Sequence, residues 1–172
     1  IAGAINDGWT PADQSWAHAS ATTITVPSGA AAIYSVGDKI KITQATVKYF
    51  YVTAVADTTL TVTGGTDYTV ANAAITSPYY SKAASPVGFP GWFAYTPTLG
   101  GNGSMTYGTT TVNIARFKMD GNMVTLVINH TGTVGGTPNT TISATLPVNC
   151  KDDYTYCANN IFNNGVNAVG YS

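Results

Sequence analysis

Stretches in which apolar and polar residues alternate run through the first half of the chain. Residues 22–26, 39–43 and 59–63 each place isoleucine, leucine or valine on one face and threonine or lysine on the other. This period of two predicts half-buried β-strands, and the two lysines of 39–43 are predicted to face solvent. Residues 47–55 are apolar on both faces, which predicts a central strand or one that bridges two sheets. Strands this short and closely spaced predict a small closed barrel or a compact sandwich over residues 21–81.

The second half of the chain contains its strongest hairpin signal. Residues 112–119 and 123–130 are two apolar strands separated by the tripeptide DGN at 120–122, where glycine accepts the positive φ of a tight turn. A two-residue loop and a bulged three-residue loop both fit this spacing. Residues 131–139 are rich in glycine and predict a loop, and residues 142–148 alternate again and predict a further strand.

Proline and glycine divide the chain into four parts. Residues 1–20 carry turn-forming pairs and predict an irregular lead-in segment that packs against another surface, such as a neighbouring subunit. Residues 21–81 are predicted to form a small β-barrel-like domain, 82–91 a Pro/Gly linker, and 92–172 a β-sandwich domain of the jelly-roll type. That last part contains about three firm strands, whereas a complete sandwich needs about seven or eight. Either residues 149–172 add strands, or the sandwich continues beyond the end of this chain; in both cases the predicted fold class is all-β.

The amino-acid composition supports an all-β chain and reduces the number of function classes that fit it. Charged residues make up 9% of the 172 residues, against about 25% in an ordinary soluble domain. Glutamate does not occur and Arg116 is the one arginine, so strong charged helix formers are scarce. The net charge of −1 gives no electrostatic footprint for nucleic acid or anionic membranes. No apolar run reaches the ~20 residues of a membrane helix. A structural or recognition protein is therefore predicted, with no nucleic-acid partner and no membrane insertion.

Motifs of catalysis and metal binding do not occur in the sequence. There is no GxSxG elbow, dinucleotide fingerprint or phosphate-binding loop. His18 and His130 are far apart, and Cys150 and Cys157 lack the paired cysteine or histidine partners of a zinc site. These two cysteines are predicted to be either free thiols or one disulfide. We expect no enzyme activity, no metal and no cofactor.

Aromatic side chains are the chemistry in which this chain is rich. It has eleven tyrosines and three tryptophans, and both residue types suit sugar stacking and protein interfaces. Trp92, just after the linker, is alternatively predicted to fill the junction between the two domains. The candidate glycan-stacking or interface residues are Trp9, Trp16, Trp92, Tyr79 and Tyr80.

Two stretches resemble proteins of tailed-phage virions. The first covers residues 22–81 and leads into GFPGWFAYTPTL at 88–99; the second is IARFKMDGNMVTLVINHTGT at 114–133, followed by ISATLPV at 142–148. Their order and their amino-acid sequences resemble those of tail-fibre, minor-tail and receptor-binding proteins of uncultured phages and prophages. In that family the C-terminal β-sandwich is usually trimeric and often faces the host surface. The final strands of such a domain are expected to be missing after Tyr171.

The resemblance implies a structural virion component of a phage tail that contributes to host-surface attachment through a multimeric β-rich body. The implied partners are two further copies in a homotrimer, other virion proteins, and a host-surface glycan or protein. The implied location is the virion, assembled in the cytoplasm of the bacterial host. Low charge suits a surface covered by copies of itself.

Two alternatives remain open from the sequence. One is a head-fibre, decoration or adaptor protein of the same virion. The other is a carbohydrate-binding module of a secreted bacterial protein, which would be a stable monomer that binds sugar through an exposed tryptophan.

Overall fold

The computed structural model describes residues 7–137, 139, 141–149, 158–163 and 166–171. In these ranges one short helix, α1 (Ala30–Ile33), accompanies fourteen strands. The strands are β1 (Thr10–Pro11), β2 (Ala17–Ser20), β3 (Thr23–Thr25), β4 (Lys39–Gln44), β5 (Thr46–Ala56), β6 (Thr59–Thr63), β7 (Thr76–Ser81), β8 (Phe93–Ala94), β9 (Leu99–Gly101), β10 (Met105–Asp120), β11 (Met123–Gly136), β12 (Ile142–Ala144), β13 (Ala158–Asn163) and β14 (Val166–Tyr171). The all-β prediction is confirmed.

Seven strands form the largest sheet, in the order β1-β7-β4-β5-β6-β3-β2. Every neighbouring pair in it is antiparallel, and the short connections of the sequential pairs β2–β3, β4–β5 and β5–β6 require this arrangement. The sheet is open, with β1 and β2 at its edges, so it is not the closed barrel that was one of the two predicted forms. The remaining described strands form a three-stranded sheet, β11-β10-β8, and the pairs β12-β9 and β13-β14.

One face of the large sheet carries the first hydrophobic core. Alternation along β4 and β6 directs Ile40, Ile42, Leu60 and Val62 into it, as the sequence period predicts. The rest of this core comes from the flanking strands and from α1. Its buried members are Trp16, Ile24, Val26, Ala30, Tyr34, Ile40, Ile42, Phe50, Val52, Leu60, Val62 and Val70.

The opposite face of the large sheet packs against β8 and β10 to form a second core. Phe50 and Val52 of β5 belong to the first core and Tyr51 to the second, which confirms that β5 is apolar on both faces. Tyr51 meets Phe93 and Phe117 at ring-centroid distances of 5.3 and 6.4 Å. The two sheets therefore face each other as a small sandwich and share this core.

Residues 82–91 form no strand, as expected of a linker. They do not separate independent cores, however, because Phe89 packs against the second core and Tyr51 contributes to it from the large sheet. A backbone hydrogen bond from the Thr66 N–H to the Ala94 C=O also joins the two parts. The predicted domains 21–81 and 92–172 thus meet through a common core.

Three local predictions were wrong. The lead-in at residues 1–20 contains β1 and β2, and its second strand pairs with β3 inside the large sheet. Lys39 is 4% exposed and lies beneath the second sheet, so it does not face solvent. Residues 131–136, predicted as part of a glycine-rich loop, continue β11.

The β10–β11 hairpin was predicted correctly and is longer than expected. Asp120 pairs with Met123, so the turn has two residues, Gly121 and Asn122. Gly121 has φ 56°, the left-handed backbone that glycine adopts without strain. The turn lies against Gly37, because a Cβ built on Gly37 would collide with the Gly121 backbone.

Candidate binding surface

The outer face of the three-stranded sheet is the most distinctive accessible surface. Phe93 pairs with Phe117 and both are fully buried, so the neighbouring residues on both strands point outward. The outward pair Ala94 and Arg116 is opposite in register. The period of two puts Lys118 on the same face, and Trp92 precedes β8 beside it.

Trp92 lies at the centre of this face. Its side chain is 36% exposed, and the Lys118 Nζ lies 5.2 Å from its ring centroid, a cation–π distance. A shallow depression of about 240 Å³ is lined by Trp92, Ile114, Arg116 and Val127. We call these four residues, together with Lys118, the Trp92 face.

A second depression of about 340 Å³ lies on the other side of Trp92, between the linker and the hairpin. The residues that line it include Tyr51, Ser85, Lys118 and Asp120, which carry polar or charged groups. Phe89, Pro90 and Met119 complete its apolar wall. Trp92 therefore borders both depressions, and a ligand lying across it would meet cations on both sides.

Lys39 lies behind the second depression. Burial lowers the pKa of its ammonium, and the nearby Asp120 and Asp38 carboxylates oppose that shift. Its Nζ lies 5.8 Å from the Tyr51 ring centroid. Burial likewise raises the pKa of the Tyr51 phenol. Asp120 thus lies near enough to the buried Lys39 to act on its charge, and it lines the same depression as the exposed Lys118.

The chemistry of this surface is that of binding. An aromatic ring flanked by two cations suits a polar ligand that has one apolar face and some negative charge, and Tyr and Trp are enriched where proteins make contacts. Within the described ranges, no group of three or more His, Cys, Asp or Glu side chains could hold a metal ion.

The other two tryptophans are buried. Trp9 packs against Tyr49 and Phe89, each with ring centroids 6.1 Å away, and its Nε1 donates to the Val87 C=O at 2.8 Å. Trp16 packs edge-on against Tyr34 within the first core, with ring centroids 5.7 Å apart. They are 8% and 5% exposed, so the structure does not offer either ring to a sugar, and their alternative role at an interface stays a prediction. Of the three tryptophans, all of which the structure describes, Trp92 is the accessible one.

Tyr79 and Tyr80 are adjacent on β7 and half-buried. The Lys41 Nζ lies 4.3 Å from the Tyr79 ring centroid, and it also lies 4.6 Å from that of Trp9. Tyr80 packs edge-on against Tyr34, at 5.2 Å. Neither tyrosine lines either of the two depressions beside Trp92.

Sequence reasoning missed Arg116, Lys118 and Asp120. All three belong to the strand that was predicted from its apolar residues, and their alternation with Ala115, Phe117 and Met119 was the available signal. The partner ring, Trp92, follows a linker of irregular backbone, so its position over Lys118 does not follow from local pattern.

Comparison with protein-family models, with curated proteins and with solved structures finds no match for this chain. Among the described residues, no helix is both long and apolar enough to cross a membrane. Cys150 and Cys157, predicted as either thiols or a disulfide, lie outside the described residues.

Proposed function

We propose that this chain is a structural component of a phage tail, of the tail-fibre or receptor-binding type. It contributes to host-surface attachment through a multimeric β-rich body. The observation that carries the proposal is the long β10–β11 hairpin. Its base is fixed in a core, and the part beyond the base, residues 106–113 and 129–136, offers side chains without Asp, Lys or Arg to neighbours.

In this proposal the body is a homotrimer in the virion, assembled in the cytoplasm of the bacterial host beside other virion proteins. Each copy presents one Trp92 face to a glycan or protein of the host surface. Three weak contacts on one rigid body reinforce one another, and the combined affinity exceeds that of one contact by about 10²–10⁴.

Two measurements test this function. Mass spectrometry of purified tailed-phage particles from the same source should detect the chain, and its absence from them would contradict the proposal. Light scattering after size exclusion should give about three times the chain mass of 17.8 kDa.

The contact residue is tested separately with labelled protein and a panel of bacterial strains. On strains that bind the wild type, Trp92→Ala should weaken adsorption at least about tenfold, because each lost ring contact is multiplied over the copies. Val87→Ala is the matched control, since Val87 is 67% exposed and lies outside the Trp92 face. Equal adsorption of both variants would remove Trp92 from the mechanism.

A carbohydrate-binding module is the second candidate, and the Trp92 face is the observation that favours it. It requires a stable monomer whose binding to a soluble polysaccharide disappears in Trp92→Ala. A head-fibre, decoration or adaptor protein of the same virion shares the multimer with the leading proposal. Immunogold labelling of intact particles distinguishes it, because the label would then lie on the head or neck and not on the tail.

A further inference from the structure

The β10–β11 hairpin consists of a covered base and an uncovered arm. We define the arm as residues 106–113 of β10 and 129–136 of β11. The third strand, β8, pairs with β10 at Arg116 and Phe117, beyond the arm. Among the described residues the arm is therefore a two-stranded ribbon, and a ribbon of this kind is marginally stable in water when nothing packs against it.

Exposure confirms that neither face of the arm is covered by the described part of the chain. Of its sixteen residues, thirteen are exposed and three are half-buried, namely Tyr107, His130 and Gly135. Val112 and Val134 are 38% and 57% exposed. The described residues therefore leave both valines of this ribbon open to solvent or to a partner.

An apolar strip continues from the second core along one face of the arm. Tyr107 lies across Gly132, because a Cβ built on that glycine would fall 2.5 Å from the Tyr107 ring. The Tyr107 hydroxyl and the His130 Nδ1 are 2.9 Å apart, within hydrogen-bond distance. Tyr107 pairs with Val134, and Val112 with His130. The ring contact and the hydrogen bond thus fix the conformation of the strip within a single chain.

The free edge of β11 carries none of the usual protection against pairing. In the described part of the chain β11 is the edge strand of its sheet. It is 14 residues long and contains no lysine, arginine, aspartate or proline, the residues with which monomeric proteins block such edges. Both irregularities of the hairpin place their extra residue on β10, so β11 itself remains regular.

The pair of Ala115 and Ile128, next to the arm, shows which backbone N–H and C=O groups of β11 point toward its free edge. The Ala115 C=O accepts a hydrogen bond from the Tyr95 N–H on the β8 side. Ala115 therefore turns its polar groups away from β11, and its partner Ile128 turns its own toward the free edge. The same period along β11 leaves the amides of His130, Gly132 and Val134 facing outward.

We infer that a second copy of this chain covers the arm, pairing along the free edge of β11 and packing on the strip of Tyr107, Val112, His130 and Val134. This inference deepens the proposed function and rests on its multimer. A second copy is the occupant because the arm carries no aspartate, lysine or arginine and the whole chain has a net charge of −1, so another copy can approach the arm without charge repulsion. An eight-residue edge also gives about 27 Å of continuous pairing.

The test places a charge in the strip. The double variant Val112→Lys and Val134→Lys is compared with the control Val47→Lys and Val87→Lys, whose valines are 45% and 67% exposed elsewhere. Light scattering over a concentration series gives the native mass. Hydrogen exchange of the peptide spanning 129–136 reports the outward amides. Circular dichroism confirms that both variants remain folded.

We expect the wild type and the control to form multimers with protected arm amides. The arm variant should associate at least tenfold more weakly and exchange these amides faster. A multimer that persists unchanged in the arm variant overturns the inference, although the proposed tail function then still stands. A wild-type monomer overturns it too; protected arm amides in that monomer would show that other residues of the same chain cover the arm. Absence of the chain from phage particles refutes the tail function and leaves the arm contact unaffected.

Discussion

Strand β6 of the large sheet and the arm of the hairpin are built from nearly the same residues and have opposite surroundings. β6 reads TLTVT, and residues 109–113 read TTTVN. Leu60 and Val62 of β6 are 0% and 2% exposed, whereas Val112 of the arm is 38% exposed. The difference lies in the neighbours. β6 is paired on both edges and covered on its apolar face, while the arm has one paired strand and no cover among the described residues.

The comparison shows that strand propensity and burial are separate properties of this sequence. Threonine and valine favour extended backbone wherever they occur, because β-branched side chains fit a pleated surface. Whether their apolar faces are buried depends on residues far away in sequence, such as Tyr51 and Phe93 beneath the hairpin base. The arm lacks such residues, which is why we assign its cover to a second copy.

The largest effect is expected where the covered and uncovered halves of β10 meet. Phe117→Ala should lower the free energy of unfolding by about 3–5 kcal/mol, because it removes a fully buried ring from the second core. Ile114→Ala, three residues earlier on the same strand, should cost less than about 1 kcal/mol, since Ile114 is 44% exposed. Urea unfolding at one fixed protein concentration measures both. Similar losses for the two variants would mean that the outer face is covered in solution.

The next effect concerns the contact between the hairpin turn and the large sheet. Gly37 and Gly29 both have φ 88°, so alanine at either costs about 1 kcal/mol of backbone strain. A Cβ on Gly37 would also meet the Gly121 backbone, whereas nothing lies within 4 Å of one on Gly29. We therefore expect Gly37→Ala to cost about 2–4 kcal/mol in all and Gly29→Ala about 1. Equal thermal shifts for the two variants would show that the turn moves aside freely.

The local pattern of apolar and polar residues was sufficient to predict where the strands lie. It was not sufficient to predict which of their side chains are buried. Alternation located β4, β6 and the hairpin, because it reports which backbone can bury one face. It gave the wrong position for Lys39, since the covering residues Tyr51 and Asp120 come from other strands. Glycines at the end of β11 suggested a loop, but the ring of Tyr107 covers Gly132 and compensates for its missing side chain.

The candidate surface was predictable only by residue type. Tryptophan as a contact residue stays a prediction, and the sequence pattern did not distinguish Trp9, Trp16 and Trp92 from one another. Burial separates them, and burial depends on tertiary packing of irregular segments. The two cations beside Trp92 lie on the regular part of β10, so the alternation of residues 114–119 contained the information to place them together on one face.

A smaller effect should come from the hydrogen bond at the centre of the arm. Tyr107→Phe keeps the ring over Gly132 and removes the hydroxyl that meets the His130 Nδ1, so we expect a loss of about 0.5–1 kcal/mol. Hydrogen exchange of the arm peptide should accelerate by up to about fivefold, while peptides of β5 and β6 remain unchanged. Acceleration in those sheet peptides as well would contradict the view that the arm is a separate unit.

The smallest effect is a pH dependence that originates in the buried Lys39. Burial lowers its folded-state pKa below the ordinary lysine value of 10.5, so between these two values the unfolded chain binds more protons than the folded one. Stability contributed by this residue therefore rises with pH through that window, as the cost of burying its charge disappears. In Lys39→Met this rise is absent. In chemical unfolding from about pH 8 to 10.5, the free energy of unfolding of the wild type should thus increase relative to that of the variant as the pH rises. Lys41→Met, on the same strand, controls for the loss of one cation. Tyr51, whose pKa burial raises and whose ring lies beside Lys39, destabilises the protein above pH 10, so the contribution of Lys39 is read below pH 10. A difference that stays constant over this range would show that Lys39 is hydrated in solution and that the second core is open at that edge.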